Sequence, residues 1–98
     1  MRYEVHTTEE FGEWLDDLDD ERAKEAIAAR MIRAGSGNFG DHASVGDGVS
    51  EMRVHHGPGY RLYYTIRQRK LVFMLRGGTK RTQQKDIRQA KELKEQID

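Results

Sequence analysis

Residues 49–80 read VSEMRVHHGPGYRLYYTIRQRKLVFMLRGGTK. Three runs rich in β-branched, aromatic and long apolar side chains are separated by two turn signals, His56-Gly57-Pro58-Gly59 and Arg67-Gln68-Arg69-Lys70. This pattern predicts three antiparallel strands joined by tight connections. In the first run, period 2 sets Met52 and Val54 against Glu51, Arg53 and His55. In the second it sets Leu62, Tyr64 and Ile66 against Arg61, Tyr63 and Thr65. One sheet face is therefore apolar and calls for helices, while the other bears Arg53, Arg61 and Tyr63. Leu71 to Leu75 is apolar without a break, as in a central strand with both sides partly covered. It ends at Arg76-Gly77-Gly78, where glycines permit close approaches that other residues resist.

Upstream, Arg2 to His6 alternates and reads as a short first strand. Thr7 and Thr8 offer N-caps, and Thr7 with Glu10 has the spacing of a capping box. Phe11, Trp14, Leu15 and Leu18 then give the apolar stripe of an amphipathic helix, in which Trp14 reads as core. The run Asp16-Asp17-Leu18-Asp19-Asp20-Glu21 breaks that helix, and Asp19 or Asp20 caps a second one. Ala23, Ala26, Ile27, Met31 and Ala34 are its buried stripe, with Gly35 in the terminating position. Residues 35–48 (GSGNFGDHASVGDG) hold five glycines without periodicity and read as a long loop anchored by Phe39 and Val45. Downstream, Thr82 is positioned to cap a last helix with the stripe Ile87, Ala90, Leu93 and Ile97.

The expected architecture is one α+β domain over residues 1–98. An N-terminal helical hairpin packs on a twisted, mostly antiparallel four-stranded sheet, with a C-terminal helix beside it. The first strand is expected to pair parallel with a strand of the meander. Ninety-eight residues allow a real but small core. With no cysteine there is no disulfide, and no apolar run approaches a membrane span. A soluble cytoplasmic protein is expected. The net charge of zero conceals a division. Residues 1–51 carry five Lys/Arg against thirteen Asp/Glu, a net −8; residues 52–98 carry twelve against four, a net +8. A basic side of this kind suits nucleic acid.

The chemistry follows from the cations. Arg53 and Arg61 come from neighbouring strands on one face, with Lys80 and Arg81 just beyond the third strand. Tyr63 adds a ring on the same side, and Arg76 closes that strand. Cations that hold phosphates, with rings that stack on bases, suit single-stranded RNA. RNA cleavage needs a proton removed from the 2′-oxygen, a phosphate held as charge develops, and a proton for the 5′-oxygen. Arginine makes bidentate phosphate contacts, and lysine can move protons when neighbouring cations lower its pKa. Arg61 is the candidate for the scissile phosphate, Lys80 for proton transfer or charge stabilisation, and Arg53 for support. His55 and His56 flank the turn, and His55 joins the candidate RNA contacts. No HExxH, cysteine ligand set or G-x-S-x-G occurs, so metalloprotease and serine-hydrolase readings have no support. None of the glycine spacings forms a phosphate loop, and no cofactor is expected.

The order strand, helix pair, long loop, three strands and helix resembles the RelE/ParE superfamily of bacterial toxins. It is most similar to the HigB-like "addiction module killer protein" branch. The resemblance rests on residues 11–15 (FGEWL), 37–41 (GNFGD), 45–53 (VGDGVSEMR), 57–64 (GPGYRLYY) and 77–80 (GGTK), and on Gln83, Asp86, Ile87 and Ala90. It implies a type II toxin that enters the ribosomal A site and cleaves translated mRNA as a metal-independent endoribonuclease. It also implies a cognate helix-turn-helix antitoxin. Family positions carry over to Arg53, Arg61 and the Lys80/Arg81 region. This chain lacks the His/Tyr pair that some relatives have near the last residues, so Lys80, Arg81 and Gln83 stand in its place. ParE-like members poison DNA gyrase with the same fold. A non-enzymatic gyrase inhibitor and a plain RNA- or protein-binding module are therefore the rival readings.

Overall fold

The computed structural model describes residues 2–98. Along the chain run β1 (Glu4–Thr7), α1 (Glu9–Asp16), α2 (Glu21–Gly35), β2 (His42–Gly46), β3 (Val49–Val54), β4 (Tyr60–Arg67), β5 (Leu71–Thr79), a 3₁₀ turn (Lys80–Thr82) and α3 (Gln83–Ile97). The strands form one sheet in the order β1-β5-β4-β3-β2. The meander β3–β4–β5 is antiparallel, and β1 joins β5 in parallel, Glu4 opposite Leu71. The α+β architecture and the parallel first strand are as expected. The sheet has five strands rather than four, because the glycine-rich segment is not all loop. Its second half folds back as β2 on β3 through Asp47-Gly48, both at positive φ (55° and 77°). That is the backbone of a two-residue type I′ hairpin, for which Asp-Gly is a preferred pair. Gln68 and Arg69 make the corresponding turn between β4 and β5.

Period 2 sorts the side chains into two layers. Met52, Val54, Leu62, Tyr64, Val72 and Met74 meet Phe11, Ala23, Ile27 and Ala34 of α1 and α2 in a sealed cluster. Phe39 stacks on Tyr64 and meets Tyr3 edge-on, which makes it the anchor its loop needs. Tyr64 is so enclosed that burial pushes its hydroxyl pKa up to about 12. The opposite face is also covered. Ala90 and Leu93 of α3, with Ile87 and Ile97, pack on Val49, Tyr63 and Leu75. The last helix therefore lies across the face read as open, and the fold has three layers.

Two caps differ from expectation. Thr8, not Thr7, caps α1: its hydroxyl accepts from Phe11 N and donates to the Leu75 carbonyl. That second bond fixes the helix to β5 and selects Thr8. Asp20 caps α2 as expected, accepting from Arg22 and Ala23. The left-handed residue after α2 is Gly37 (φ 88°), two positions beyond Gly35. No helix among the described residues is long and apolar enough to cross a membrane.

Candidate nucleic-acid interface

The register of β3 and β4 places Arg53 directly opposite Arg61, and Glu51 opposite Tyr63. All four lie on the α3 face. Two arginines facing each other across a ladder repel. Glu51 relieves that repulsion. Its carboxylate is 2% exposed and gathers donors from three elements. Arg53 Nε and an Arg61 terminal nitrogen each lie 2.9 Å from Oε2, and Gln83 Nε2 donates to Oε1 at 3.0 Å. Arg53 also bonds Asp41, whose other oxygen lies 2.7 Å from His55 Nε2. These hydrogen bonds raise the Arg53 pKa above its ordinary value, the one to Glu51 contributing most. They hold the Asp41 carboxyl below its usual range, with His55 the larger cause and Arg53 the next.

A second buried carboxylate lies along the same helix. Asp86 accepts from Arg76 Nε at 2.8 Å and from the Thr82 hydroxyl. Thr82 therefore occupies the helix start but spends its hydroxyl on Asp86. The carboxylate can reach this position because Gly78, the register partner of Arg61, has no side chain; a Cβ there would overlap Asp86. On the other side of the sheet a Cβ at Gly77 would overlap the Trp14 ring. The close approach foreseen for these glycines is thus real on both faces.

The residues singled out from the sequence separate into groups. Arg53, Arg61 and Gln83 converge on Glu51, and His55 joins at the edge through Asp41. Lys80 and Arg81 sit on the 3₁₀ turn, exposed. Their side chains make no hydrogen bond or ion pair among the described residues. The Lys80 backbone N–H donates to the Gly59 carbonyl, which holds this turn against the β3–β4 connection. Arg76 is not a free cation, since Asp86 holds it. Tyr63 is a correction: it is 0% exposed beneath α3 and offers no ring to a base. Its hydroxyl is buried without a partner. Burial, reinforced by Glu51 and Asp86, raises its pKa far above the ordinary tyrosine value, so it keeps its proton. Sequence reasoning missed Glu51, Asp41 and Asp86. The available signal was an acid in mid-strand on the same face as Arg53, since a buried charge there requires partners.

Charge is distributed unevenly along the chain. Residues 9–35, which span α1 and α2, carry four Lys/Arg against nine Asp/Glu. Residues 76–88, at the head of α3, carry five against one. The described residues contain no group of three or more His, Cys, Asp or Glu placed to hold a metal ion.

Solved structures share this three-layer arrangement. A mutant of E. coli toxin RelE in the free state superposes with a TM-score of 0.70 at 15% identity, covering 90% of this chain and 97% of that one. The toxin-antitoxin complex RelBE2 from Mycobacterium tuberculosis gives 0.65 at 20% identity, covering 82% and 100%. The chain thus has the RelE fold. More specifically, residues 13–96 match the model of the phage-derived Gp49-like family (DUF891), and the chain belongs to that family. A protein of Haemophilus influenzae, described only as uncharacterized, is 46% identical over 97 residues, covering 99% of this chain and 98% of its own length.

Proposed function

We propose that this chain is a single-domain toxin of a type II toxin–antitoxin pair. On this reading it is a ribosome-dependent mRNA endonuclease of the HigB-like branch of the RelE/ParE superfamily. It acts in the cytoplasm and is held inactive by a helix-turn-helix antitoxin. The observation that carries the reading is the arginine pair, Arg53 and Arg61, fixed side by side near the head of α3, with Lys80 and Arg81 on the turn that leads into that helix and without a side-chain partner among the described residues. The shared fold with RelE and with the RelBE2 complex supports the same reading.

The chemistry is strand scission by the RNA's own 2′-hydroxyl. The 2′-oxygen attacks the phosphorus while the bond to the 5′-oxygen breaks, leaving a 2′,3′-cyclic phosphate and a 5′-hydroxyl. Arg61 donates to the non-bridging oxygens, where negative charge builds up. Arg53 supports the same phosphate from the neighbouring strand. Lys80, with Arg81 beside it, stabilises charge or moves a proton at the scissile bond. Gln83 and His55 contact flanking nucleotides. Tyr63, sealed beneath α3, takes no part as a stacking platform.

The test follows a defined mRNA on translating ribosomes, with purified wild type and Arg61→Ala, and maps ends by primer extension. Cuts at A-site codons with wild type alone, absent when ribosomes are omitted, are the expected result. A folded wild-type protein that makes no cuts sinks this function and directs attention to gyrase inhibition.

A further inference from the structure

We infer that Glu51 is the positioning residue of this site: it aims Arg53 and Arg61 at one phosphate, and accepts weaker attraction for RNA in return. This rests on the endonuclease reading above. Several observations converge on it. Arg53 and Arg61 are register partners of like charge, and without a common counter-ion they would swing apart into solvent. Glu51 Oε2 lies 2.9 Å from a nitrogen of each, so both guanidinium groups close on a single atom. Gln83 fixes the other carboxylate oxygen from α3. Tyr63, opposite Glu51 on β4, shuts out water with a fully buried ring. A carboxylate whose two oxygens are both engaged, and which is 2% exposed, has no face for a ribose hydroxyl. It therefore acts through the arginines and not on the RNA.

Electrostatics sharpens the assignment. With Asp41 included, the two arginines are matched by two carboxylates. A surface built only to attract phosphate would leave those cations unmatched, as Lys80 and Arg81 are. Removing the Glu51 charge therefore has opposite consequences for binding and for rate. RNA is attracted more strongly, while the arginines lose their common aim. Misplacement of about 1 Å is enough to cost about 100-fold in rate. A role in folding alone cannot produce that division, because loss of folded protein lowers both quantities together.

The experiment uses ribosomes programmed with one mRNA. Single-turnover cleavage is measured on the natural RNA, and affinity on the same complex with a 2′-deoxy nucleotide at the scissile position. For Glu51→Gln the expected result is cleavage reduced about 100-fold, with affinity equal to wild type or tighter. Arg61→Lys, which keeps the charge but loses the planar fork, is expected to lose cleavage comparably. Alongside, ¹⁵N relaxation of the arginine Nε–Hε groups needs no activity. In wild type, Arg53 and Arg61 should approach the backbone value of about 0.85, and in Glu51→Gln they should fall below about 0.6.

Cleavage by Glu51→Gln at or above the wild-type rate overturns the inference, because Glu51 would then only restrain the arginines. Parallel loss of binding and cleavage with a lowered melting temperature also overturns it, in favour of a folding role. If Glu51→Gln does not fold, wild-type relaxation and Arg61→Lys decide: a mobile Arg61, or full activity in Arg61→Lys, overturns it. If wild type itself does not cleave, the endonuclease reading falls, and relaxation alone decides whether Glu51 positions the pair.

Discussion

Glu51 and Asp86 are equally buried carboxylates beneath the same helix, yet they hold different things together. Asp86 belongs to α3 and grips β5 through Arg76, with the bare backbone of Gly78 beneath it. Glu51 belongs to β3, and its partners include two arginines already fixed next to each other by the ladder. The first carboxylate joins two layers. The second gathers two side chains of the sheet, with a single bond from Gln83 of α3, and leaves the backbone arrangement to the sheet. The environment of a buried charge thus indicates its role less well than the elements its partners come from.

The sharpest way to break this comparison is Asp86→Ala. It leaves Arg76 without its partner and unpins the head of α3, and should cost about 3 kcal/mol in urea denaturation. A loss below about 1 kcal/mol would mean that α3 is held by its apolar stripe alone. Arg61→Ala is next, with the opposite profile. Cleavage should fall at least about 100-fold, equivalent to about 2.7 kcal/mol of transition-state stabilisation, while the loss in urea stays below that of Asp86→Ala because Arg53 and Gln83 still engage Glu51. Lys80→Ala should cost about tenfold in rate, or about 1.4 kcal/mol, and leave stability within about 0.5 kcal/mol. A Lys80→Ala protein that cuts at the wild-type rate removes Lys80 from the chemistry.

The smallest effect lies at the edge of the Glu51 cluster. Asp41 has a folded-state pKa depressed by His55 and Arg53. Its contribution to stability is therefore present above the ordinary carboxylate range and lost as pH falls through the folded value. Wild type should lose more melting temperature than Asp41→Asn between pH 6 and pH 3. Equal losses would assign the acid sensitivity elsewhere, for example to Asp20, which is depressed in the same way by His56.

Much of the fold is legible in residues because local rules agree with the tertiary outcome. The meander has alternation and turn residues in register, and the stripes of α1, α2 and α3 have helical spacing. β2 escapes notice because it is only five residues long and lies in a segment with five glycines, although Asp47-Gly48 between Val45 and Val49 is a hairpin signal. At the site, Arg53 and Arg61 can be placed on one face from period 2 alone, while their direct pairing is seen in the sheet register. Tyr63 shows the limit of that rule. Alternation assigns a side chain to a face, but only the packing of α3 shows that this part of the face is closed. Glu51 is hidden for a related reason, since a mid-strand acid looks like a solvated residue until its partners are known.

The parallel pairing of β1 with β5 also governs the order in which this protein can be completed. During synthesis β1, α1 and α2 emerge first, with the apolar stripe of Phe11, Ala23 and Ile27 facing no sheet. Glu4 must wait for Leu71 before β1 has a strand neighbour, a contact of long sequence separation. Glu51 and Arg53 are made before Arg61, and Gln83 follows them all. The arginine cluster is therefore complete only once Gln83 has been made. A growing chain therefore carries its acidic helices, residues 9–35, well before it carries all the residues of the cationic site.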